Sequence, residues 1–199
     1  SRVEAGALRL TMEPILIPEM FEDLEERLEA LISNSGRRLE KLVPPHLPAI
    51  SADYEAIMSV LTNLLSNAFR YAPKGDRVLL EARSVARDGA NFLTEIEILV
   101  SDRGPGLTEE QQAELFTRFR TFTTIQQRGD DQPGRRQSET RWSPSSGLGL
   151  YISRGIIEAH SSHLTLQSRP GAGATFAFTL AIANPAHLID DTSVKNALT

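Results

Sequence analysis

The sequence predicts an α+β fold, a two-layer sandwich in which a mixed, mainly antiparallel sheet carries helices on one face. Helix-spaced apolar stripes and short strand-like segments follow each other without the strict strand–helix alternation of a doubly wound fold. Two pairs of strand segments are separated by turn signals, Asp88-Gly89 and Pro170-Gly171-Ala172-Gly173. The 199 residues, 40% of them apolar, suffice for one domain with a sizeable core.

The first part of the chain is predicted to form a strand, a helix and a second strand. Ile15-Leu16-Ile17 is a short apolar run typical of a strand, and Pro18 suits the first turn of a helix because its missing N–H costs nothing there. Apolar residues at helical spacing follow, and Asn34-Ser35-Gly36 indicates the end of the helix. The next strand is predicted over Leu39–Val43, before a proline-rich link.

A second helix begins after Ser51 or Asp53, either of which can cap it. It ends at Pro73 and Gly75, and two strands are predicted after it, Val78–Ala82 and Glu95–Val100. The apolar stripe of this helix consists of Ile57, Val60, Leu61, Leu64, Leu65 and Ala68.

The remaining elements surround a long polar loop, Thr121–Ser146, which shows no hydrophobic period. A loop of that length inside a domain is usually functional. Before it, Thr108 and Gln111 form a plausible capping box for a short amphipathic helix. The other predicted elements are that helix at Leu107–Phe119, a helix at Leu148–Ala159, closing strands at Leu164–Ser168 and Thr175–Ile182, and a loose tail at Asn184–Thr199.

Composition excludes several classes of function. The chain has no cysteine, so disulfides and thiolate metal sites are impossible. A net charge of −5 argues against general nucleic-acid binding, which needs a net basic face, but permits one nucleotide at a local positive site. No apolar run approaches the ~20 residues of a membrane span. The chain begins with Ser1 rather than Met, so we expect a piece of a longer protein, cytoplasmic or the cytoplasmic part of a membrane-anchored parent.

The first candidate site lies on the second helix. Asn63 and Asn67 are four residues apart and therefore share a helix face, and Arg70 continues it. Two amide oxygens and a cation are suited to a hydrated Mg²⁺ and a polyphosphate, because Mg²⁺ keeps waters and phosphate oxygens among its ligands. Taken alone, the same pattern fits an ordinary solvated face equally well.

Three further motifs follow in order. Asp102-Arg103-Gly104-Pro105-Gly106 directly follows a strand; its carboxylate can accept a hydrogen bond from an exocyclic amine such as that of adenine, and its glycines admit a flat ring. Residues 145–150, Ser-Ser-Gly-Leu-Gly-Leu, open a helix whose free N–H groups favour phosphate. Residues 171–176, Gly-Ala-Gly-Ala-Thr-Phe, fit a plain hairpin turn as well as a site. Each motif alone also fits a turn or a loop, but their order makes the set specific.

The set resembles the boxes of the Bergerat ATP-binding fold in its histidine-kinase branch. Residues 63–71, Asn-Leu-Leu-Ser-Asn-Ala-Phe-Arg-Tyr, resemble the asparagine box, and residues 102–106 resemble the first glycine box. Glu-Leu-Phe-Thr-Arg-Phe at 114–119 is similar to the phenylalanine box. Residues 146–152 resemble the second glycine box, and residues 171–176 resemble the closing strand motif. The resemblance covers Leu10 to Ile182.

The resemblance implies a role for each matching residue. Asn67 would be the main Mg²⁺ ligand, and Asn63 a second ligand or one acting through water. Arg70 would neutralise phosphate charge, and Tyr71 would lie against the nucleotide. Asp102 would read the adenine amine. The other implied ATP-binding residues are Gly104 and Gly106 around the base, Ser146, Gly147, Leu148 and Gly149 at the phosphates, and Thr175 as a support for Asp102 and a water.

The resemblance also distinguishes phosphoryl transfer from hydrolysis. Hydrolytic relatives of this superfamily place a water-activating glutamate where this chain has Asn63, and an amide is no base at neutral pH. Catalysis would then rest on alignment and charge neutralisation. The loop 121–146 would be the ATP lid. It contains Arg128, Arg135, Arg136 and Arg141, and for each of them we expect a solvated position.

The sequence departs from the family pattern in two places and lacks one component. Ser145 and Ser146 replace glycines of the second glycine box, which we expect to stiffen the lid, and Ser161-Ser162 replaces the glycine pair after His160. None of the four histidines, His46, His160, His163 and His187, has the context of a phosphoacceptor.

These features together define the expected organisation and partners. Residues 1–10 would be a remnant of the preceding dimerisation helix, residues 11–183 the ATP-binding catalytic domain of a two-component sensor histidine kinase, and residues 184–199 a tail. The expected partners are Mg-ATP, the phosphoacceptor histidine helices of the same protein and, indirectly, a response regulator; we expect a monomer when the domain is isolated. The alternatives are a serine kinase of the anti-sigma-factor type and a non-catalytic nucleotide-binding interaction module.

Overall fold

Helices cover one face of a five-stranded sheet in the computed structural model of the protein. The structure describes residues 9–86, 93–113, 115 and 148–183. Its elements are β1 (Glu13–Ile15), α1 (Ile17–Ser35), β2 (Arg38–Leu42), β3 (Ile50–Ala52), α2 (Tyr54–Tyr71), β4 (Arg77–Ala86), β5 (Leu93–Asp102), α3 (Leu148–Ala159), β6 (Thr165–Ser168) and β7 (Ala174–Ala181). Residues 109–113 are also helical.

The main sheet has the strand order β2-β4-β5-β7-β6. The β2–β4 pair is parallel, and the other three pairs are antiparallel. This is the mixed, mainly antiparallel sheet that the sequence predicted. A separate two-stranded sheet joins β1 to β3. The sequence analysis missed β3, because three residues are too few for a periodic pattern and their partner strand is distant in the chain.

The helix ends follow the local signals in the sequence. Pro18 lies in the first turn of α1, and Gly36 ends it in the left-handed conformation, with φ of 67°. Asp53, rather than Ser51, caps α2: its side chain accepts a hydrogen bond from the N–H of Ala56 at 3.0 Å. Ser51 lies within β3. These contacts explain why the end of α1 and the start of α2 agree with the prediction. The start of α1 differs, because Ile17, predicted as part of a strand, begins the helix and β1 ends at Ile15.

The structure also shows how two further helix ends are capped, of which the sequence predicted the first. The N–H of Thr108 donates to Gln111 Oε1 at 2.9 Å and that of Gln111 to Thr108 Oγ1 at 3.2 Å, so the capping box is confirmed. At the end of α3, Ser161 N–H donates to Glu158 O and Ser162 N–H to Ile157 O, the pattern of a Schellman motif. Ser161 therefore takes the left-handed conformation, with φ of 60°.

The hydrophobic core lies between the helices and one face of the sheet. Side chains alternate along each strand, and the buried set on β4 and β5 is Val78, Leu80, Ala82, Ile96, Ile98 and Val100. All six predicted apolar positions of α2 are buried as well. The opposite sheet face carries ion pairs such as Arg83–Glu97, with N and O 2.6 Å apart. Helices therefore cover one face, as the sequence predicted.

Several predicted segments lie partly or wholly outside the described residues. The expected dimerisation remnant is described only at residues 9 and 10, and the tail from Asn184 lies outside the described residues, as does the loop Thr121–Ser146. The end of the predicted helix Leu107–Phe119 is likewise outside them. The domain bounds thus stay predictions. Among the described residues, no helix combines the length and apolar character that a membrane crossing needs.

Candidate functional site

The polar face of α2 turns toward the first residues of α3. Asn63 and Asn67 are half-buried there, one helical turn apart, whereas Arg70 is exposed. The Asn63 Nδ2 group donates a hydrogen bond to the Ser153 hydroxyl of α3 at 3.0 Å. Tyr71, at the end of the helix, exposes 58% of its surface. Polar groups and one open aromatic side chain thus line the same edge of the molecule.

Gly149 allows the close approach of α3 to Asn63. A Cβ atom at Gly149 would lie only 2.3 Å from Asn63 Oδ1. Any other residue would force the asparagine side chain or the helix to move, because Cβ atoms do not approach an oxygen so closely. Gly149, the second glycine of the motif at residues 145–150, is therefore required by the packing of α3 against α2.

Asp102 lies at the carboxyl end of β5 and is half-buried. Its Oδ1 accepts a hydrogen bond from the N–H of Gly104 at 2.7 Å, and its carboxylate also accepts one from the N–H of Ala174. Burial raises the pKa of the Asp102 carboxyl, and these two hydrogen bonds oppose the rise. The site thus holds a carboxylate in a fixed orientation with reduced access to water.

The backbone around Asp102 is packed too tightly for side chains. A Cβ at Gly104 would lie 2.7 Å from Asp102 Oδ1 and 2.8 Å from Tyr71 O. At Gly106, with φ of 67°, it would lie 1.9 Å from Arg169 O, and at Gly173, with φ of 78°, 1.9 Å from Asp102 O. The first glycine motif is therefore packed between the end of α2 and the β6–β7 turn.

The sequence analysis did not identify the polar residues that join this loop to the β6–β7 turn. The Ser168 hydroxyl accepts from Leu107 N–H at 2.9 Å and donates to Gly173 O at 2.7 Å. Gln112 Nε2 donates to the carbonyls of Leu107 and Ser168, both at 3.1 Å. No sequence pattern marks these residues, because their partners come from a distant part of the chain.

Arg37 was also missed, although it contacts the same edge. Its Nε donates to Ala72 O at 2.6 Å, and its Nη1 donates to Ser35 O at 2.8 Å. Arg37 therefore joins the end of α1 to the end of α2, next to the Tyr71 carbonyl that faces Gly104. An arginine after a helix-ending glycine gives no signal of such a contact.

Thr175 has a different neighbour from the one the sequence suggested. Its hydroxyl pairs with the Ser101 hydroxyl at 2.8 Å, across the β5–β7 ladder. Because successive side chains alternate along a strand, this pair lies on the sheet face opposite to that of Asp102. The residue paired with Asp102 in the ladder is Ala174.

The second glycine motif is described only in part. Leu148 and Gly149 begin the described part of α3. Ser146 and Gly147 lie outside the described residues, as do the four lid arginines and all of the phenylalanine motif except Leu115. The structure nevertheless brings four separate parts of the chain to one edge, α2, the end of β5, the beginning of α3 and the β6–β7 turn.

Comparison with known proteins agrees with this architecture. Residues 52–184 match the model of the family described as histidine kinase-, DNA gyrase B- and HSP90-like ATPases. The non-motile and phage-resistance protein of Caulobacter vibrioides is 33% identical over 92% of this chain and 20% of its own length. The sensor-like histidine kinase SenX3 of Mycobacterium bovis is 32% identical over 88% of this chain and 38% of its own length.

A solved structure, full-length ShkA in complex with AMPPNP, is similar with a TM-score of 0.66 and 25% identity, over 90% of this chain and 33% of that one. The chain thus spans less than half the length of these relatives. The fold, the order of the motifs and the matched family agree: the chain belongs to the histidine kinase-, DNA gyrase B- and HSP90-like ATPase family, as a catalytic domain of the histidine kinase type.

Proposed function

We propose that the chain binds Mg-ATP and transfers the γ-phosphoryl group to a histidine on dimerisation helices outside this chain. The observation that supports this most directly is the position of Asp102. Its half-buried carboxylate is oriented by two backbone N–H groups, beside a glycine-rich loop packed against the end of α2. A water-poor acceptor next to bare backbone is suited to a flat base with an exocyclic amine.

Adenine would bind at this edge. The carboxylate of Asp102 would accept a hydrogen bond from the amine, and Gly104 and Gly106 would line the base pocket with backbone that is held in place by close packing against Tyr71 O and Arg169 O. Tyr71 is largely exposed and free to lie against the nucleotide. Thr175 would support the end of β5 through Ser101 rather than by a direct contact with Asp102.

The phosphates would lie between α2 and the beginning of α3. The backbone N–H groups of Ser146, Gly147, Leu148 and Gly149 would hold phosphate oxygens, and Arg70 would neutralise part of their charge. The half-buried amides of Asn67 and Asn63 fit Mg²⁺, which prefers oxygen ligands and keeps waters and phosphate oxygens. The bound ion would neutralise charge that develops on the phosphoryl group.

The site favours transfer over hydrolysis. Asn63 occupies the position of the water-activating glutamate in hydrolytic relatives, and its Nδ2 group is already bonded to Ser153. The remaining catalytic contribution is alignment of the phosphoryl group and neutralisation of its charge. The phosphoacceptor would be a histidine of the same protein, in the cytoplasm, and a response regulator would receive the phosphoryl group later.

Titration of the chain with Mg-ATP, followed by calorimetry, tests the proposal. We expect saturable binding by the wild type and a loss of roughly 10- to 100-fold in Asp102→Asn, because a hydrogen bond to a charged group contributes about 1.5–3 kcal/mol. Asn67→Ala is expected to lose the dependence of binding on Mg²⁺.

Two matched control variants distinguish a loss of nucleotide binding at the site from a loss caused by disturbance of the fold. Glu97→Gln changes a carboxylate on the same strand but on the opposite sheet face, and Asn34→Ala removes an exposed amide at the end of α1. Both are expected to bind Mg-ATP like the wild type. A wild type without affinity for nucleotide, with or without Mg²⁺, would leave only a non-catalytic interaction module.

A further inference from the structure

The Ser153 hydroxyl is a buried polar group to which the proposed function assigns no role. Ser153 is only 2% exposed, and its hydroxyl faces α2 from the middle of α3. It accepts the Asn63 Nδ2 hydrogen bond at 3.0 Å, across 90 residues of sequence. A buried hydroxyl that contacts a proposed site residue is a candidate for positioning that residue.

Gly149 completes the environment of the Asn63 side chain. It lies four residues before Ser153, on the same face of α3. A Cβ at Gly149 would lie 2.3 Å from Oδ1, 3.0 Å from Cγ and 3.3 Å from Nδ2 of Asn63. The whole amide therefore packs across the bare Gly149 backbone while its nitrogen reaches Ser153.

The other end of α3 is held by separate contacts. His160 Nε2 accepts the N–H of Asp53 at 3.0 Å, and Ser162 Oγ accepts the N–H of Thr179 at 3.1 Å. Ile156 and Ile157 are buried in the core. Loss of the Ser153 hydroxyl would therefore loosen the beginning of α3 without releasing the whole helix.

We propose that Ser153 is a positioning residue for nucleotide binding. Its hydroxyl holds the Asn63 amide against Gly149 and so fixes the beginning of α3, where the phosphates would bind, relative to the Asn67 face of α2. The inference rests on the proposed function, since it assumes that a nucleotide binds between these two helices. It assigns Ser153 an effect that acts through Asn63 rather than through direct contact with the ligand.

A double-mutant cycle on Mg-ADP affinity tests this role. Ser153→Ala is a mild change, because alanine is the better helix former and the helix should persist. We expect it to weaken Mg-ADP binding about 3- to 10-fold, the net effect of one hydrogen bond. In the Asn63→Ala background the same change is expected to alter the affinity less than 2-fold, roughly within the additivity error of such cycles.

Ser162→Ala is the matched control, because Ser162 is also a buried serine, 6% exposed, at the far end of α3. It is expected to lower the melting temperature and leave Mg-ADP affinity unchanged. A wild-type affinity in Ser153→Ala, or an equal loss in both backgrounds, would overturn the positioning role while leaving the proposed function intact. Absence of Mg-ADP binding by the wild type would overturn both.

Discussion

Asp102, the proposed adenine-binding residue, reduces the stability of the fold in a pH-dependent way. Burial raises the pKa of its carboxyl, so the ionised form is less favourable in the folded than in the unfolded chain. Below the unfolded pKa of about 3.9 the carboxyl is protonated in both states and this cost is absent. The cost appears as the pH rises through that value and is complete above the folded pKa.

Asp102→Asn removes this pH-dependent cost. We expect the free energy of unfolding of the variant, relative to wild type, to increase as the pH rises from about 4 toward neutral. Urea unfolding of both proteins at several pH values measures the difference. The amide also changes the hydrogen bonds, but that effect does not depend on pH. A difference in the free energy of unfolding that stays constant or decreases as the pH rises would contradict burial of the Asp102 carboxylate as the cause.

Ser161 has a backbone conformation that is unfavourable for a residue with a Cβ atom. With φ of 60° it occupies the left-handed position of the Schellman motif that ends α3, where glycine has no steric cost. We expect Ser161→Gly to raise the free energy of unfolding by about 0.5–1 kcal/mol, since the relief of strain exceeds the added freedom of the unfolded chain.

Ser161→Ala is the control, because alanine keeps the Cβ that causes the strain. Chemical denaturation of both variants should show a gain only for glycine. Equal stability of the two would mean that the local conformation carries no measurable strain.

At the scale of elements, Asp53 joins the beginning of α2 to the segment before β1. Its Oδ1 accepts the N–H of Ala56 at 3.0 Å, and its Oδ2 accepts the N–H of Thr11 at 2.7 Å. The hydrogen bond from Thr11 and, to a smaller extent, the one from Ala56 lower the pKa of the Asp53 carboxyl. The stabilisation is therefore present above the unfolded pKa of about 3.9 and is lost as the pH falls through the folded value.

Asp53→Ala removes the cap and the Thr11 contact together, and we expect it to cost about 0.5–2 kcal/mol at neutral pH. Asp53→Asn keeps a capping oxygen and should cost less, because asparagine is an equally good N-cap residue. Denaturation at pH 7 and below pH 4 provides the measurement, and the gap between wild type and Asp53→Ala should narrow in acid. A gap that widens in acid would exclude the carboxylate as its source.

For the whole molecule, the histidines limit what this chain can do alone. Both ring nitrogens of His160 are engaged, Nε2 with the N–H of Asp53 and Nδ1 with Ile156 O at 2.8 Å. His46 and His163 are exposed, but neither follows the phosphoacceptor pattern. The described residues therefore combine the proposed nucleotide site with no histidine in a phosphoacceptor context.

We expect the isolated chain, incubated with Mg-ATP labelled at the γ position, to form no acid-labile phosphohistidine. Addition of the histidine-bearing helices that the proposed function assigns to the same protein should produce label on those helices only. Autoradiography of a gel before and after acid treatment makes the measurement. Acid-labile label on the chain itself would contradict the separation of kinase and acceptor.

The prediction from sequence was most successful where the determinants are local. The bounds of α2 follow from an apolar stripe with a period of 3.6 residues and from the Asp53 cap, both of which the chain carries within a few residues. The Gly36 end of α1 and the Thr108–Gln111 capping box are local in the same sense. The sequence missed β3, whose contacts are with the distant strand β1 and with Ile182 near the end of β7.

The sequence by itself determined the order of the helices and of the strands of the main sheet, the apolar face of α2 and the candidate residues Asn63, Asn67 and Asp102. Only the tertiary structure decided which side chains meet. The Ser153 contact with Asn63, the contacts of Ser168 and Gln112 around the first glycine loop, and the sheet face of Thr175 depend on segments far apart in the chain. Such pairings leave no local periodicity or motif, because their geometry exists only after the helices pack on the sheet.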